Sequence, residues 1–69
     1  MQRVNVVSSN ILSIGYDPNT DTLEIEFLNG GIYEYYNVSQ DIHIELMNAP
    51  SIGSYFNRNI RNNFPTQKL

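Results

Sequence analysis

Two arginines near the end of the chain have the residue type and spacing that could bind an anion. Arg58 and Arg61 are three positions apart, so on a helix they would be neighbours on the exposed side. Two guanidinium groups at that spacing can hold a phosphate or a carboxylate through paired hydrogen bonds. The commoner role of such a pair is a solvated helix face whose cations suit the negative C-terminal end of the helix. The spacing leaves both interpretations open.

The segment Ser51-Ile52-Gly53-Ser54 opens the same predicted helix. Free backbone N–H groups, serine hydroxyls and a residue without a side chain could together cradle an anion. An ordinary N-cap at Ser51, with Gly53 packed closely against a sheet, explains the segment equally well. Tyr55 follows directly and could stack on a base whose phosphate the segment holds.

Three tyrosines, Tyr33, Tyr35 and Tyr36, follow the turn Asn29-Gly30-Gly31 and are either core or contact surface. A two-residue turn would place Tyr33 and Tyr35 outside, as a platform for stacking bases. A three-residue loop with a glycine bulge would turn them toward the core and place Glu24, Glu26 and Glu34 together on the solvent-exposed face of the sheet. The first register buries Glu34 unpaired, at a cost on the order of several kcal/mol. We therefore favour the core interpretation.

The elements that position these residues follow from hydrophobic periodicity. A period of two predicts strands, at Val4 to Val7, Ile11 to Tyr16, Thr22 to Leu28 and Ile32 to Val38. The period then changes to about 3.6, which predicts one helix capped by Ser39 and ended by Pro50, and a second capped by Ser51 and ended by Pro65. The predicted fold is α+β, with a three- to four-stranded antiparallel β meander followed by two C-terminal α-helices packed on one face.

The apolar positions of these elements should line a single core. Those expected to face it are Leu12, Ile14, Tyr16, Leu23, Ile25, Phe27, Ile42, Leu46, Ala49, Ile52, Phe56, Ile60 and Phe64. No linker or repeat interrupts the pattern, so residues 1–69 are predicted to form one domain.

Length and charge limit the classes of function. A 69-residue domain with a thin core often gains burial by association, so a homo-oligomer is one expectation. Seven acidic against four basic residues give a net charge of -3, which disfavours coating duplex DNA but not contact with a nucleotide or a short single strand. The chain has no cysteine and no apolar run of membrane-spanning length. We expect a cytoplasmic protein that does not contact membranes.

Several stretches of the chain together resemble the KTSC domain family. They are Ser8 to Ile11, Ile14 to Asp17, Leu23 to Phe27, Gly31 to Tyr35 and Ala49 to Arg61. That family is named for a domain at the C-terminus of some lysyl-tRNA synthetases and also occurs as stand-alone bacterial proteins. Its central Tyr-x-Tyr corresponds here to Tyr33-Glu34-Tyr35. The resemblance implies an RNA-related role through the synthetase association.

No combination of residues indicates catalysis. His43 is the single histidine, and no nucleophile lies at a spacing that would use it. No enzyme activity, metal or cofactor is predicted. The sequence favours a non-catalytic module that binds RNA or a nucleotide-like anion, with Arg58, Arg61 and the amides of Ser51 to Ser54 on phosphate and Tyr55 or Tyr36 on a base. The alternative is a protein-interaction or self-assembling module.

Overall fold

The computed structural model describes residues 1–69 and shows an antiparallel sheet with helices against one face. The strands are β1 (Arg3–Asn5), β2 (Ile11–Asp17), β3 (Thr22–Phe27), β4 (Ile32–Tyr35) and β5 (Thr66–Lys68), and the helices are α1 (Gln40–Met47) and α2 (Ile52–Asn59). The five strands lie in sequence order across the sheet. The α+β prediction is confirmed. The chain forms one strand more than predicted, because after α2 it returns to pair with β4.

The β3–β4 hairpin has the register that places two tyrosines on the core face. Leu23 lies opposite Tyr35, and Ile25 lies opposite Tyr33. The loop spans residues 28–30, since the Phe27 N–H donates to the Gly31 carbonyl at 2.8 Å and the Gly30 N–H donates to the Phe27 carbonyl at 2.9 Å. Gly30 has a φ of 96°, as a glycine bulge requires. The predicted three-residue loop is confirmed.

Phe56 of α2 joins the helical layer to the sheet. Its side chain is fully buried, and its ring packs edge-on against Phe27 at 5.6 Å and Tyr35 at 5.3 Å between centroids. The other buried apolar residues around it are Ile11, Ile14, Leu23, Ile25, Val38, Leu46 and Ile60. Burial of each large side chain contributes about 1.5–3 kcal/mol, so these contacts fix α2 on the Leu23 and Ile25 side of the sheet.

A bulge in β2 changes which of its side chains face the core. Ile11 pairs with Phe27 whereas Ser13 pairs with Glu26, so the register shifts between them. Ile11 and Ile14 are both buried, while Leu12 is 38% exposed. The prediction that Leu12 faces the core is wrong, because an extra residue in a strand reverses the alternation of side chains.

The sheet face opposite the helices is less exposed to solvent than expected. Glu24 is only 7% exposed, because the Arg3 guanidinium lies over it in an ion pair and also lies 3.7 Å from Glu26. The Ser13 hydroxyl donates to Glu26 at 2.9 Å. The expectation that all the glutamates of this face stay in water is wrong for Glu24, because Arg3 reaches across the neighbouring strand.

Both helices begin at the predicted caps. The Ser39 hydroxyl accepts the Ile42 N–H, and the Ser51 hydroxyl accepts the Ser54 N–H, which satisfies one free donor at each N-terminus. Neither helix has the length and apolar character that a membrane crossing requires.

Candidate functional site

The side chains predicted to bind a ligand lie in separate places rather than in one site. One group surrounds the junction of the two helices, in a concavity of about 280 Å³ that we call the helix-junction groove. Its lining residues are Ala49, Pro50, Ser51, Ser54, Tyr55, Arg58 and Asn59. Four of the predicted residues are therefore brought together here.

Much of the polar chemistry of the helix-junction groove is already used within the protein. The Ser54 N–H donates to the Ser51 hydroxyl at 3.3 Å, so this amide is not free for an anion. The Tyr55 hydroxyl donates to Glu45 at 3.1 Å. Burial and this carboxylate raise the pKa of Tyr55. The groove thus combines the exposed guanidinium of Arg58 with a ring whose hydroxyl is held by an acidic residue.

Gly53 is not available to a ligand. It is buried, and a Cβ at this position would lie 2.6 Å from Asn10 Oδ1 and 3.2 Å from Ser8 Oγ. The absence of a side chain lets α2 pack against the loop that precedes β2. Of the two interpretations that the sequence left open, the structure supports close packing at Gly53 rather than an anion cradle, with the contact made to Ser8 and Asn10 rather than to the sheet.

A second group of predicted residues lies beside the β3–β4 loop, in a concavity of about 290 Å³ that we call the hairpin groove. It is lined by Phe27, Asn29, Tyr33, Tyr35, Arg61, Asn62 and Thr66. An adjoining concavity of about 420 Å³ shares Phe27, Asn29 and Arg61 and is completed by Ser9, Asn10 and Leu28. Arg61 lies between the two, and neither lining contains a carboxylate.

Tyr33 and Tyr35 contribute differently to the hairpin groove. Tyr35 is 4% exposed, so its ring belongs to the core, as the favoured register predicted, and it cannot stack on a base as the alternative register would have required. Burial raises the pKa of Tyr35, while the neighbouring Thr66 hydroxyl and the charge of Arg61 act in the opposite direction. Tyr33 is half-buried, with its ring edge-on to Phe27 at 5.6 Å. The Lys68 ammonium lies 6.0 Å from the centroid of the Tyr33 ring.

Tyr36 lies on the opposite face of the sheet. Its hydroxyl donates to Glu34 at 2.9 Å and lies 3.2 Å from Gln67 Oε1. The hydrogen bond to Glu34, together with burial, raises the pKa of Tyr36. Because the sheet separates it from Arg58 and Arg61, Tyr36 cannot stack a base whose phosphate those arginines hold. Its predicted role in that site is corrected.

Arg58 and Arg61 do not act as a helical pair. The helix ends at Asn59, so Arg61 lies beyond it and reaches the hairpin groove, while Arg58 lines the helix-junction groove. Both side chains are exposed, and the ion pairs of the protein involve Arg3 alone among the basic residues. Lys68 was not predicted as a site residue, because the short polar strand β5 has no apolar alternation to reveal it.

His43 has a structural setting. Its ring stacks on Tyr16 with centroids 4.5 Å apart, and burial lowers the pKa of His43. No group of three or more His, Asp or Glu side chains comes together in an arrangement that could hold a metal ion.

The fold and these grooves define a small α+β domain whose exposed cations line concave surfaces. The family model of the KTSC domain matches residues 7–64, and the chain belongs to the KTSC domain family. The resemblance inferred from the sequence is confirmed.

Similar proteins occur both as part of a large enzyme and as small proteins. A lysine–tRNA ligase of Nostoc sp. is 44% identical over 61 residues, which cover 88% of this chain but only 11% of the ligase. A protein of Stutzerimonas stutzeri is 41% identical over 58 residues, 84% of this chain and 82% of its own length. The crystal structure of a KTSC domain protein from Yersinia pestis superposes with a TM-score of 0.96 at 44% identity, over 99% of this chain and 96% of that one.

Proposed function

We propose that this domain is a non-catalytic module that binds RNA or a nucleotide-like anionic ligand through arginine and tyrosine side chains. The observation that carries the proposal is the separation of charge. The chain has a net charge of -3, yet Arg58 and Arg61 have no carboxylate partner and line concavities that contain no carboxylate. In the lining of each concavity an anion meets an arginine, aromatic rings and neutral polar side chains.

The number of unpaired cations indicates the size of the ligand. Arg58, Arg61 and Lys68 are the basic side chains without an ion-pair partner. Each phosphate neutralised on a single strand contributes about 0.7 to the slope of log affinity against log salt, so two or three contacts give a shallow dependence of roughly 1.4–2.1. That range suits a short single strand or a nucleotide rather than a wrapped duplex.

The relatives support an RNA-related setting. One of them is named as a ligase that acts with tRNA, and a domain of this family placed in such an enzyme would meet RNA at high local concentration. We extend the same context to this chain and place its action in the cytoplasm.

The proposal can be tested by fluorescence anisotropy with a labelled short single-stranded RNA and with a duplex of the same length. We expect the single strand to bind more tightly, with an affinity that falls as salt is raised. Changing Arg58→Gln and Arg61→Gln together should weaken binding, lower the salt slope and leave the far-ultraviolet circular dichroism unchanged. Binding by the double variant with the original affinity and salt slope would contradict the proposal.

A protein-interaction or self-assembling module is the second candidate. It is favoured by exposed apolar side chains, with Val7 98% exposed, Val4 58% exposed and Leu28 54% exposed, and by the two edge strands β1 and β5, which could pair with another chain. Light scattering coupled to size-exclusion chromatography should then show a homo-oligomer. A strict monomer at high concentration would rule out self-assembly.

A further inference from the structure

The two grooves differ in their electrostatic surroundings, and this difference bears on which one holds the ligand. At the helix-junction groove the carboxylate of Glu45 holds the Tyr55 hydroxyl at 3.1 Å, so a negative charge lies beside the ring that would stack a base. The hairpin groove and the concavity beside it contain Arg61 and no carboxylate. An anion therefore meets less electrostatic repulsion at the hairpin groove than at the helix-junction groove.

Lys68 adds a second cation beside Tyr33, which is one of the residues that line the hairpin groove. It lies opposite Tyr33 in the β4–β5 pair, and its ammonium lies 6.0 Å from the ring centroid, which is about the outer limit for an attractive contact of this kind. The side chain is exposed and has no ion-pair partner. A flat base can therefore take its place over the ring, which leaves the ammonium free for a phosphate.

Tyr33 is held in a fixed position for such stacking. Its ring meets Phe27 edge-on at 5.6 Å, and the strand register directs it to the same face as the core. Asn29 is fixed by accepting the Gly31 N–H at 3.0 Å, and Asn62 lies on the same groove. Their amide groups can donate to the edge of a base.

The size of the hairpin groove limits what it can take. Its volume of about 290 Å³ lies just below the range for small-molecule sites, about 300–1,000 Å³. The adjoining concavity of about 420 Å³ continues past Arg61 and could receive the next unit of a chain. A duplex cannot present a single base to a groove of this kind without unpairing it.

We infer that the hairpin groove binds one unpaired nucleotide, with its base on Tyr33 and its phosphate between Arg61 and Lys68, and that the helix-junction groove does not hold the ligand. This inference rests on the proposed function and names the part of the surface that performs it. Arg61 and Lys68 supply charge, whereas Tyr33 supplies a face for stacking.

Anisotropy measurements with a labelled short single-stranded RNA over a series of salt concentrations test this assignment. The variants are Arg61→Gln, Lys68→Gln and Tyr33→Leu, and the rival site is probed by Arg58→Gln and Tyr55→Leu. We expect Arg61→Gln and Lys68→Gln each to weaken binding and to lower the salt slope by about 0.7. Tyr33→Leu should weaken binding about tenfold with no change in slope.

The outcomes separate the assignment from the proposed function. Loss of binding in Arg58→Gln and Tyr55→Leu, with Arg61→Gln and Lys68→Gln unaffected, would overturn the assignment and leave RNA binding intact. Failure of the unmodified protein to bind any single strand would overturn both. Should Tyr33→Leu not fold, as judged by circular dichroism, the exposed Lys68 decides the result, because a side chain in water can be changed without loss of the core.

Discussion

Replacing Gly30 with alanine tests the loop that sets the register of the tyrosine strand. The φ of 96° at Gly30 is a backbone conformation that costs an L-residue about 1–2 kcal/mol. A Cβ there would meet nothing within 4 Å, so backbone strain alone acts on the folded state. Any Gly→Ala change also stiffens the unfolded chain, which stabilises the protein by about 0.4–1 kcal/mol.

Gly31→Ala is the matched control, because it carries the same unfolded-state effect without a positive φ. Its Cβ would lie 3.3 Å from Tyr33 Cε1 and 3.4 Å from Asn29 Oδ1, so the control requires only a shift of a few tenths of an ångström, which leaves both side chains in place. The difference in stability between the variants therefore isolates the strain at Gly30, about 1–2 kcal/mol. For a domain of this size each kcal/mol shifts the melting temperature by roughly 4–8 °C.

Thermal melting followed by circular dichroism gives this difference directly. We expect Gly30→Ala to melt about 4–16 °C below Gly31→Ala. The same order should appear in the midpoints of urea unfolding, with equal slopes. A Gly30→Ala protein that melts at or above the temperature of Gly31→Ala would refute the glycine bulge and the register that depends on it.

Three further changes test other contacts. Because burial lowers the pKa of His43, its contribution to the free energy of unfolding should be fully present above the unfolded pKa of about 6.5 and should be lost as the pH falls below it. His43→Gln should flatten the pH dependence of the melting temperature in this range, and an unchanged dependence would contradict the prediction. Arg3→Met leaves the Glu24 carboxylate buried without its partner, so the free energy of unfolding measured in urea should fall by about 1–3 kcal/mol. Adding Glu24→Gln should restore part of this stability, and no recovery in the double variant would argue against the ion pair. Gly53→Ala brings a Cβ within 2.6 Å of Asn10 Oδ1 and should lower the melting temperature, although alanine favours a helix over glycine by about 1 kcal/mol. Adding Asn10→Gly should restore the melting temperature, and a higher melting temperature in Gly53→Ala alone would show that the contact with Asn10 does not restrict this position.

The sequence predicted those parts of the fold that a strong local preference controls. The hairpin register followed from Glu34, because burying its carboxylate unpaired outweighs any preference between turn types, and Glu34 indeed lies on the face away from the helices beside Tyr36. The caps at Ser39 and Ser51 followed from side chains that satisfy free helix donors.

Features that depend on distant partners could not be predicted. Strand β5 is three polar residues, Thr66–Lys68, all exposed, and only pairing with β4 makes it a strand. The bulge at Leu12 depends on how β2 meets β3. The ion pair of Arg3 with Glu24 joins residues 21 positions apart.

In the candidate site, too, the features that depend on distant parts of the chain could not be predicted. Helical spacing suggested that Arg58 and Arg61 act together, but this inference assumed a helix that continues past Asn59. Once the helix ends there, the two guanidinium groups line different grooves. The contribution of Lys68 required knowledge that the chain returns to the sheet beside Tyr33.

The place where RNA binds can be mapped from the amide chemical shifts of isotope-labelled protein during titration with a short single-stranded RNA. We expect the shifts to concentrate at the hairpin groove, with Asn29, Tyr33, Asn62 and Lys68 moving together. The shifts should also saturate at lower RNA concentration when salt is reduced. Shifts confined to Ser54 and neighbouring residues of the helix-junction groove, or no shift at any residue, would contradict binding of a nucleotide at the hairpin groove.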